Sequence, residues 1–252
     1  MGGTDRREIV ECTDLAALSL RAAEHFTALA RARAAESGRF AVVLAGGSTP
    51  RNLYSLLATA AYRERVPWAA THLFFGDERC VPPDHPESNF RMVKETLLDH
   101  VPIPDGQVHR MLGEEPAPER AAGAYEDELR QFFAATGDRA PRFDLILLGL
   151  GADGHTASLF PGSPALDERW RLVVPAAVEG LVARRLTLTF PVLNAAARIV
   201  FLVAGSAKAR ALAAVVRGAV AGPALPAALV EPEDGALLYF VDRAAAALVH
   251  AG

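Results

Sequence analysis

The turn Gly149-Leu150-Gly151-Ala152-Asp153-Gly154-His155 places an imidazole two residues after a carboxylate, a pairing that can move protons near neutral pH. A second polar group, Asp77-Glu78-Arg79, offers a carboxylate to orient a base and a guanidinium to hold an anion. The segment Gly46-Gly47-Ser48-Thr49-Pro50 joins two glycines, which let backbone approach a ligand, to two hydroxyls and a proline suited to a first helical turn. That composition suits a phosphate cradle, and Arg185 with Lys208 supplies cations that together could hold the same group. Each feature alone has an ordinary structural explanation. His155 can be a cap or surface histidine, residues 77–79 a solvated turn, and Ser48 or Thr49 a helix cap. Cys80, beside Arg79, lacks a nucleophile–base pattern, and with Cys12 it makes neither a CxxC pair nor a metal-ligand spacing. Gly149, Gly151 and Gly154 satisfy GxGxxG, but the unit lies mid-chain, its turn holds Asp153 and His155, and no second strand ends in an acidic residue at the distance a dinucleotide site needs.

The elements that must position these residues follow a repeated grammar. A short strand is expected at Glu8 to Glu11, then a helix over Leu15 to Glu36 rich in Ala, Leu and Arg, with Gly38 at its C-terminal cap. Phe40 to Ala45 is a short apolar run ending at Gly46-Gly47, the mark of a parallel strand buried on both faces, and a helix should follow from Pro50 to Ala60. Strands at Thr71 to Phe75, Phe143 to Leu148, Arg185 to Phe190 and Arg198 to Ala204 continue the pattern, and His155 is expected where a loop enters a helix at Thr156-Ala157-Ser158-Leu159. Alternating strands and helices imply an α/β fold with a largely parallel sheet. In such sheets ligands bind beyond the carboxyl ends of the strands, where the polar residues above fall. Pro82 to Pro86 and Pro223 to Pro232 read as ordered surface loops, so no linker divides the chain and a single domain over 1–252 is expected.

Composition narrows the partners. With 51% hydrophobic and 22% charged residues, the 252-residue chain has the make-up of a globular protein. A net charge of -4 provides no basic field for nucleic acid or an anionic membrane surface, so an anionic ligand must be held by local cations. The charged start at Asp5-Arg6-Arg7-Glu8 lacks the apolar core of a secretory signal, and no later stretch approaches the roughly 20 apolar residues of a spanning helix. A reducing cytoplasm fits the two cysteines best.

Taken together, Leu44 to Pro50, Gly76 to Arg79, His85-Pro86-Glu87-Ser88-Asn89, Gly149 to Pro161 and Arg185 to Thr189 resemble, in order and spacing, the 6-phosphogluconolactonase family. The resemblance runs from about Glu8 to Ala245, and the block around His155 is its most specific part. The related glucosamine-6-phosphate deaminases look similar in the same loops but carry a glutamate soon after the histidine and an aromatic residue at the place of Arg79; here Leu159-Phe160-Pro161 and Arg79 stand there.

The resemblance implies a Rossmann-like α/β fold with a largely parallel sheet flanked by helices and a small attached lobe. It implies a hydrolase that opens 6-phospho-D-glucono-1,5-lactone to 6-phospho-D-gluconate, the second step of the oxidative pentose phosphate pathway, without cofactor or metal. His155 is then the general base, oriented by Asp77 or Asp153. Gly46, Gly47, Ser48, Thr49, Arg185 and Lys208 hold the sugar phosphate, while Arg79 and Asn89 help hold the substrate. Ala227 and Ala228 stand in a segment where relatives often have a serine, so a substrate contact there is not carried over. The small-molecule lactone is the expected partner, with a monomer or weak homodimer as the working state. The alternatives are a deaminase-like isomerase and a non-catalytic sugar-phosphate-binding domain.

Overall fold

The computed structural model describes residues 7–137, 139–177, 184–218 and 225–249. In chain order the elements are β1 (Arg7–Cys12), α1 (Leu15–Ser37), β2 (Phe40–Leu44), α2 (Ser48–Leu57), α3 (Ala60–Arg63), β3 (Thr71–Phe75), β4 (Asp77–Arg79), α4 (Asn89–Thr96), β5 (Val108–His109) and α5 (Pro118–Phe133). They continue with β6 (Leu145–Leu148), β7 (Val173–Ala176), β8 (Arg185–Leu188), α6 (Phe190–Asn194), β9 (Arg198–Val203), α7 (Ala209–Arg217), β10 (Ala236–Asp242) and α8 (Arg243–Ala246).

Helix α1 begins where the Asp14 side chain accepts a hydrogen bond from the Ala17 N–H at 2.8 Å, and it ends where Gly38 takes the left-handed conformation at φ 75°. Leu18, Ala22, Phe26 and Ala30, four residues apart, are buried along one side of it. Phe40 to Leu44 in β2 are all buried, and alternate residues enter different cores: Ala41 and Val43 one, Phe40, Val42 and Leu44 the other. The same split divides Ile199, Phe201 and Val203 from Val200 and Leu202 in β9. A sheet clothed on both faces explains why its strands read as continuous apolar runs. Burying each large side chain contributes about 1.5–3 kcal/mol.

Seven strands form that sheet in the order β1-β10-β9-β6-β2-β3-β5, every neighbouring pair parallel. From β2 the chain winds outward through β3 and β5, and from β6 it winds the other way through β9 and β10. The reversal falls between the paired strands β2 and β6, so their C-terminal loops diverge and leave a crevice. Four loops open into it: Gly46 to Thr49 after β2, Gly76 after β3, Gly149 to His155 after β6 and Ala204 to Lys208 after β9.

Several boundaries differ from the sequence-based expectation. Helix α2 starts at Ser48 because Gly47, at φ 100°, already serves as its N-cap, and it stops at Leu57 because Thr59 turns extended before α3. The strand expected over Arg185 to Phe190 ends at Leu188 and lies outside the parallel sheet. It is the middle strand of a separate antiparallel sheet, β4-β8-β7. Helix α5 carries this small sheet through Glu126, whose Oε2 accepts from Arg171 Nε at 2.9 Å and Leu172 N at 3.0 Å. Of the loop expected over Pro223 to Pro232, residues 223 and 224 lie outside the described residues; Pro226–Leu229 forms a 3-10 turn tied back by a bond from Ala227 N to the Gly154 carbonyl at 3.0 Å.

Candidate active site

The turn after β6 is folded on itself by bonds from Gly151 N to the His155 carbonyl at 2.8 Å and from Gly154 N to the Gly151 carbonyl at 3.1 Å. Gly154 takes φ 83°, and a Cβ on Gly151 would lie 2.1 Å from His155 Nδ1 and 2.3 Å from Asp153 Oδ1. The spaced glycines therefore make room for an imidazole and a carboxylate rather than a pyrophosphate. Asp153 Oδ1 sits 2.6 Å from His155 Nδ1 and also accepts from the His155 N–H at 3.2 Å. Partial burial opposes its charge, but these two donors hold the Asp153 carboxyl below the usual carboxylate range. An ionised acceptor at Nδ1 draws the ring proton there and leaves the Nε2 lone pair free for a proton from elsewhere. Nε2 has no partner among the described residues.

The helix expected at Thr156 to Leu159 is absent. Those residues form a tight turn in which Leu159 N donates to the Thr156 carbonyl at 2.9 Å, with Ala157 at φ 48°. The turn is pulled away from helical geometry by Ser158. Its N–H donates to Thr187 Oγ1 at 3.2 Å and its hydroxyl to Asp77 Oδ2 at 2.6 Å, and Pro161 lacks the N–H that an extending helix would need. Asp77 is thereby spent elsewhere than on the imidazole. Its other oxygen accepts from Asn89 Nδ2 at 3.1 Å, so of the two carboxylates expected as partners of His155 it is Asp153 that makes the contact.

Antiparallel pairing of β4 with β8 puts Arg79 directly opposite Arg185. Burial first, then the neighbouring Arg79 guanidinium, pulls Arg185 below its ordinary value, and the Nε atoms of both arginines are buried without a partner. Asp77, Glu87 and Glu78 offset part of this repulsion, and the unpartnered donors leave the pair able to bind a further anion. Arg79 is aimed by its Nη1, which donates to the Glu87 carbonyl and to Asn89 Oδ1, both at 2.7 Å. Asn89 in turn lies so close to Gly46 that a Cβ there would fall 2.0 Å from Asn89 Oδ1.

Glu78 is the residue whose role the sequence reading leaves unassigned. Buried, and held above the usual carboxylate range by that burial, it accepts from the backbone N–H of Asn89 and Phe90, each at 2.8 Å, and from Ser88 Oγ at 3.0 Å. It thus seats the start of α4 and with it Asn89. A carboxylate followed ten residues later by Ser-Asn-Phe was the available signal.

Across the crevice, α2 begins with no side-chain cap, so Ser48 and Thr49 are not spent on capping it, and its first N–H groups carry the positive end of the helix dipole. Gly46, Gly47, Ser48, Thr49, Asp77, Arg79, Asn89, His155, Arg185 and Lys208 all line one cleft, about 840 Å³ including the open solvent at its mouth. Of the expected site residues only Asp153 is absent from the lining, standing behind His155. Cys80 is half-buried, and burial pushes its thiol up, away from a nucleophile's range.

Residues 13–239 match a family model described as glucosamine-6-phosphate isomerases/6-phosphogluconolactonase. The 6-phosphogluconolactonase of Synechocystis sp. is 44% identical over 211 residues, covering 84% of this chain and 85% of that protein. The Rattus norvegicus 6-phosphogluconolactonase is 45% identical over 217 residues, 84% of this chain and 81% of its own. The solved structure of 6-phosphogluconolactonase from Trypanosoma cruzi superposes with a TM-score of 0.85 at 29% identity, covering 97% of both chains. With its matching loops converging on one crevice, the chain belongs to the 6-phosphogluconolactonase family, within the wider glucosamine-6-phosphate isomerase superfamily.

Proposed function

We propose that this protein hydrolyses 6-phospho-D-glucono-1,5-lactone to 6-phospho-D-gluconate in the oxidative pentose phosphate pathway, with His155 as general base. The observation that carries the reading is the imidazole held at Nδ1 by Asp153, with Nε2 uncommitted, in a cleft lined by Arg79, Arg185 and Lys208. A δ-lactone is an activated ester, so a positioned water, a base and donors for the oxyanion suffice.

His155 Nε2 takes a proton from water as the water oxygen bonds to C1, and the C1 carbonyl electrons move onto its oxygen. Asp153 stabilises the imidazolium. As the oxyanion collapses, the bond from C1 to the ring oxygen breaks, and the imidazolium returns its proton to that oxygen, which becomes the C5 hydroxyl. Arg185, Lys208 and the N–H groups of Gly47 to Thr49 hold the phosphate, and Arg79, steadied by Asn89, holds the lactone end. Asp77 positions rather than reacts, joining the Ser158 turn to Asn89.

The protein acts as one domain over 1–252, as a monomer or weak homodimer in the cytoplasm, with no nucleic-acid partner. The free cysteines and the net charge of -4 support the last two assignments, and among the described residues no helix is long and apolar enough to cross a membrane.

The test is acid release from freshly generated lactone, with spontaneous opening subtracted, beside ammonia release from glucosamine 6-phosphate. Lactone turnover without ammonia is expected. Ammonia release would establish the isomerase instead, and saturable binding without either product a sensing domain.

A further inference from the structure

Phe160 is a residue for which the chemistry above has no use, yet it touches both halves of the site. Its ring centroid lies 4.3 Å from that of His155 with the planes 31° apart, and the Arg185 guanidinium carbon stands 5.7 Å from the same ring. The other restraints on the imidazole act along one edge: Asp153 bonds Nδ1, and the bare Cα of Gly151 closes against Nδ1 and Cε1. A hydrogen bond at one atom leaves the ring free to rock about that point, because the terminal torsion of histidine is soft. A flat surface laid against the ring removes that freedom.

We propose that Phe160 is a positioning residue for the base: its ring sets the plane of the His155 imidazole, so that Nε2 stays directed at the attacking water, and it also offers a π-face to the nearby Arg185 guanidinium. An aromatic side chain suits both tasks. When His155 takes its proton, two cations lie near one ring, and a π-face attracts cations where an aliphatic side chain would not. The inference rests on the reading of His155 as the base.

The experiment compares Phe160→Leu, Phe160→Met and Phe160→Tyr with the parent protein by kcat, KM for 6-phosphogluconolactone and thermal unfolding, with His155→Ala alongside. Loss of the flat face should lower kcat about tenfold in the Leu and Met variants, in line with the steep cost of misaligning reacting groups, while KM stays within about threefold. Phe160→Tyr, which keeps the face, should return kcat to within about threefold of the parent. Unchanged kcat in a Leu or Met variant that unfolds at the parent temperature would overturn the proposal. So would a raised KM at unchanged kcat, which would assign the ring to Arg185, or equal loss of kcat in the Tyr and Leu variants. If Phe160→Leu fails to fold, the Met and Tyr pair decides alone. Retained activity in His155→Ala would bring down the base reading itself, and this inference with it; loss there with an unaffected Phe160→Leu would bring down the inference only.

Discussion

His155 is held by one carboxylate, one missing Cβ and one aromatic face, and the first two make separable demands. Asp153→Asn keeps the shape but can present an amide N–H to Nδ1, which favours the tautomer whose proton sits on Nε2. We expect kcat to fall by roughly 10²-fold or more with KM little changed, read from steady-state lactone hydrolysis. Gly151→Ala pushes a methyl group into space occupied by Nδ1 and should cost kcat about as much, because a displacement near 1 Å is enough to spoil a reactive alignment. Arg185→Ala removes a cation proposed to hold the phosphate, so its expected signature is a KM raised about tenfold or more with a smaller change in kcat. If KM in Arg185→Ala equals that of the parent, the phosphate lies elsewhere in the cleft.

Helix α4 starts where Ser88 caps it, its hydroxyl accepting from Arg91 N, and where Glu78 accepts from the N–H groups of Asn89 and Phe90. Glu78→Gln turns an oxygen into a donor facing other donors, and a destabilisation of about 1–3 kcal/mol is expected in denaturant titration. Kinetic loss in a still-folded fraction would follow from the displacement of Asn89 and Arg79. Two histidines outside the cleft are expected to weaken the fold in acid. His25 on α1 packs edge-on against Phe240 of β10, and His72 of β3 stacks with His109 of β5. Burial holds both imidazoles down to about 4. Their folded values lie below the unfolded one near 6.5, so between those limits the unfolded chain binds more protons and stability falls as pH drops from about 6.5 toward 4. His25→Leu, which also removes the unpartnered Nε2, should flatten this dependence in denaturation midpoints between pH 7 and 4.5. An unaltered slope would show that other groups govern it.

The reversal of winding between β2 and β6 brings four loops to one crevice, and the small antiparallel sheet closes its side with Arg79 and Arg185. The molecule is acidic overall, with a net charge of -4, while its cleft gathers three cations. Attraction of a phosphorylated substrate is therefore local and screened by salt over about 10 Å at 0.1 M. KM should rise with added NaCl in the parent protein, and the rise should be smaller in Lys208→Ala, which has one charge fewer to screen. Equal salt dependence in both would place Lys208 outside the substrate's field.

The sequence by itself determined the parallel sheet, because strands buried on both faces must be written as apolar runs such as Phe40 to Leu44. It also determined the loops that carry polar chemistry, because their glycines and charged residues interrupt those runs. Tertiary structure decided which groups meet. Arg185 faces Arg79 only because β8 leaves the main sheet and pairs antiparallel with β4, a choice that local pattern does not encode. Asp153 rather than Asp77 reaches His155 because Ser158 and Asn89 claim the Asp77 oxygens from 81 and 12 residues away. The expected helix after His155 gives way to a turn through those same long-range bonds, and Glu78 supports α4 across a loop. Spacing along the chain specifies which side chains are near in sequence; competition for hydrogen-bond partners, settled only once the strands pair, specifies which of them act together.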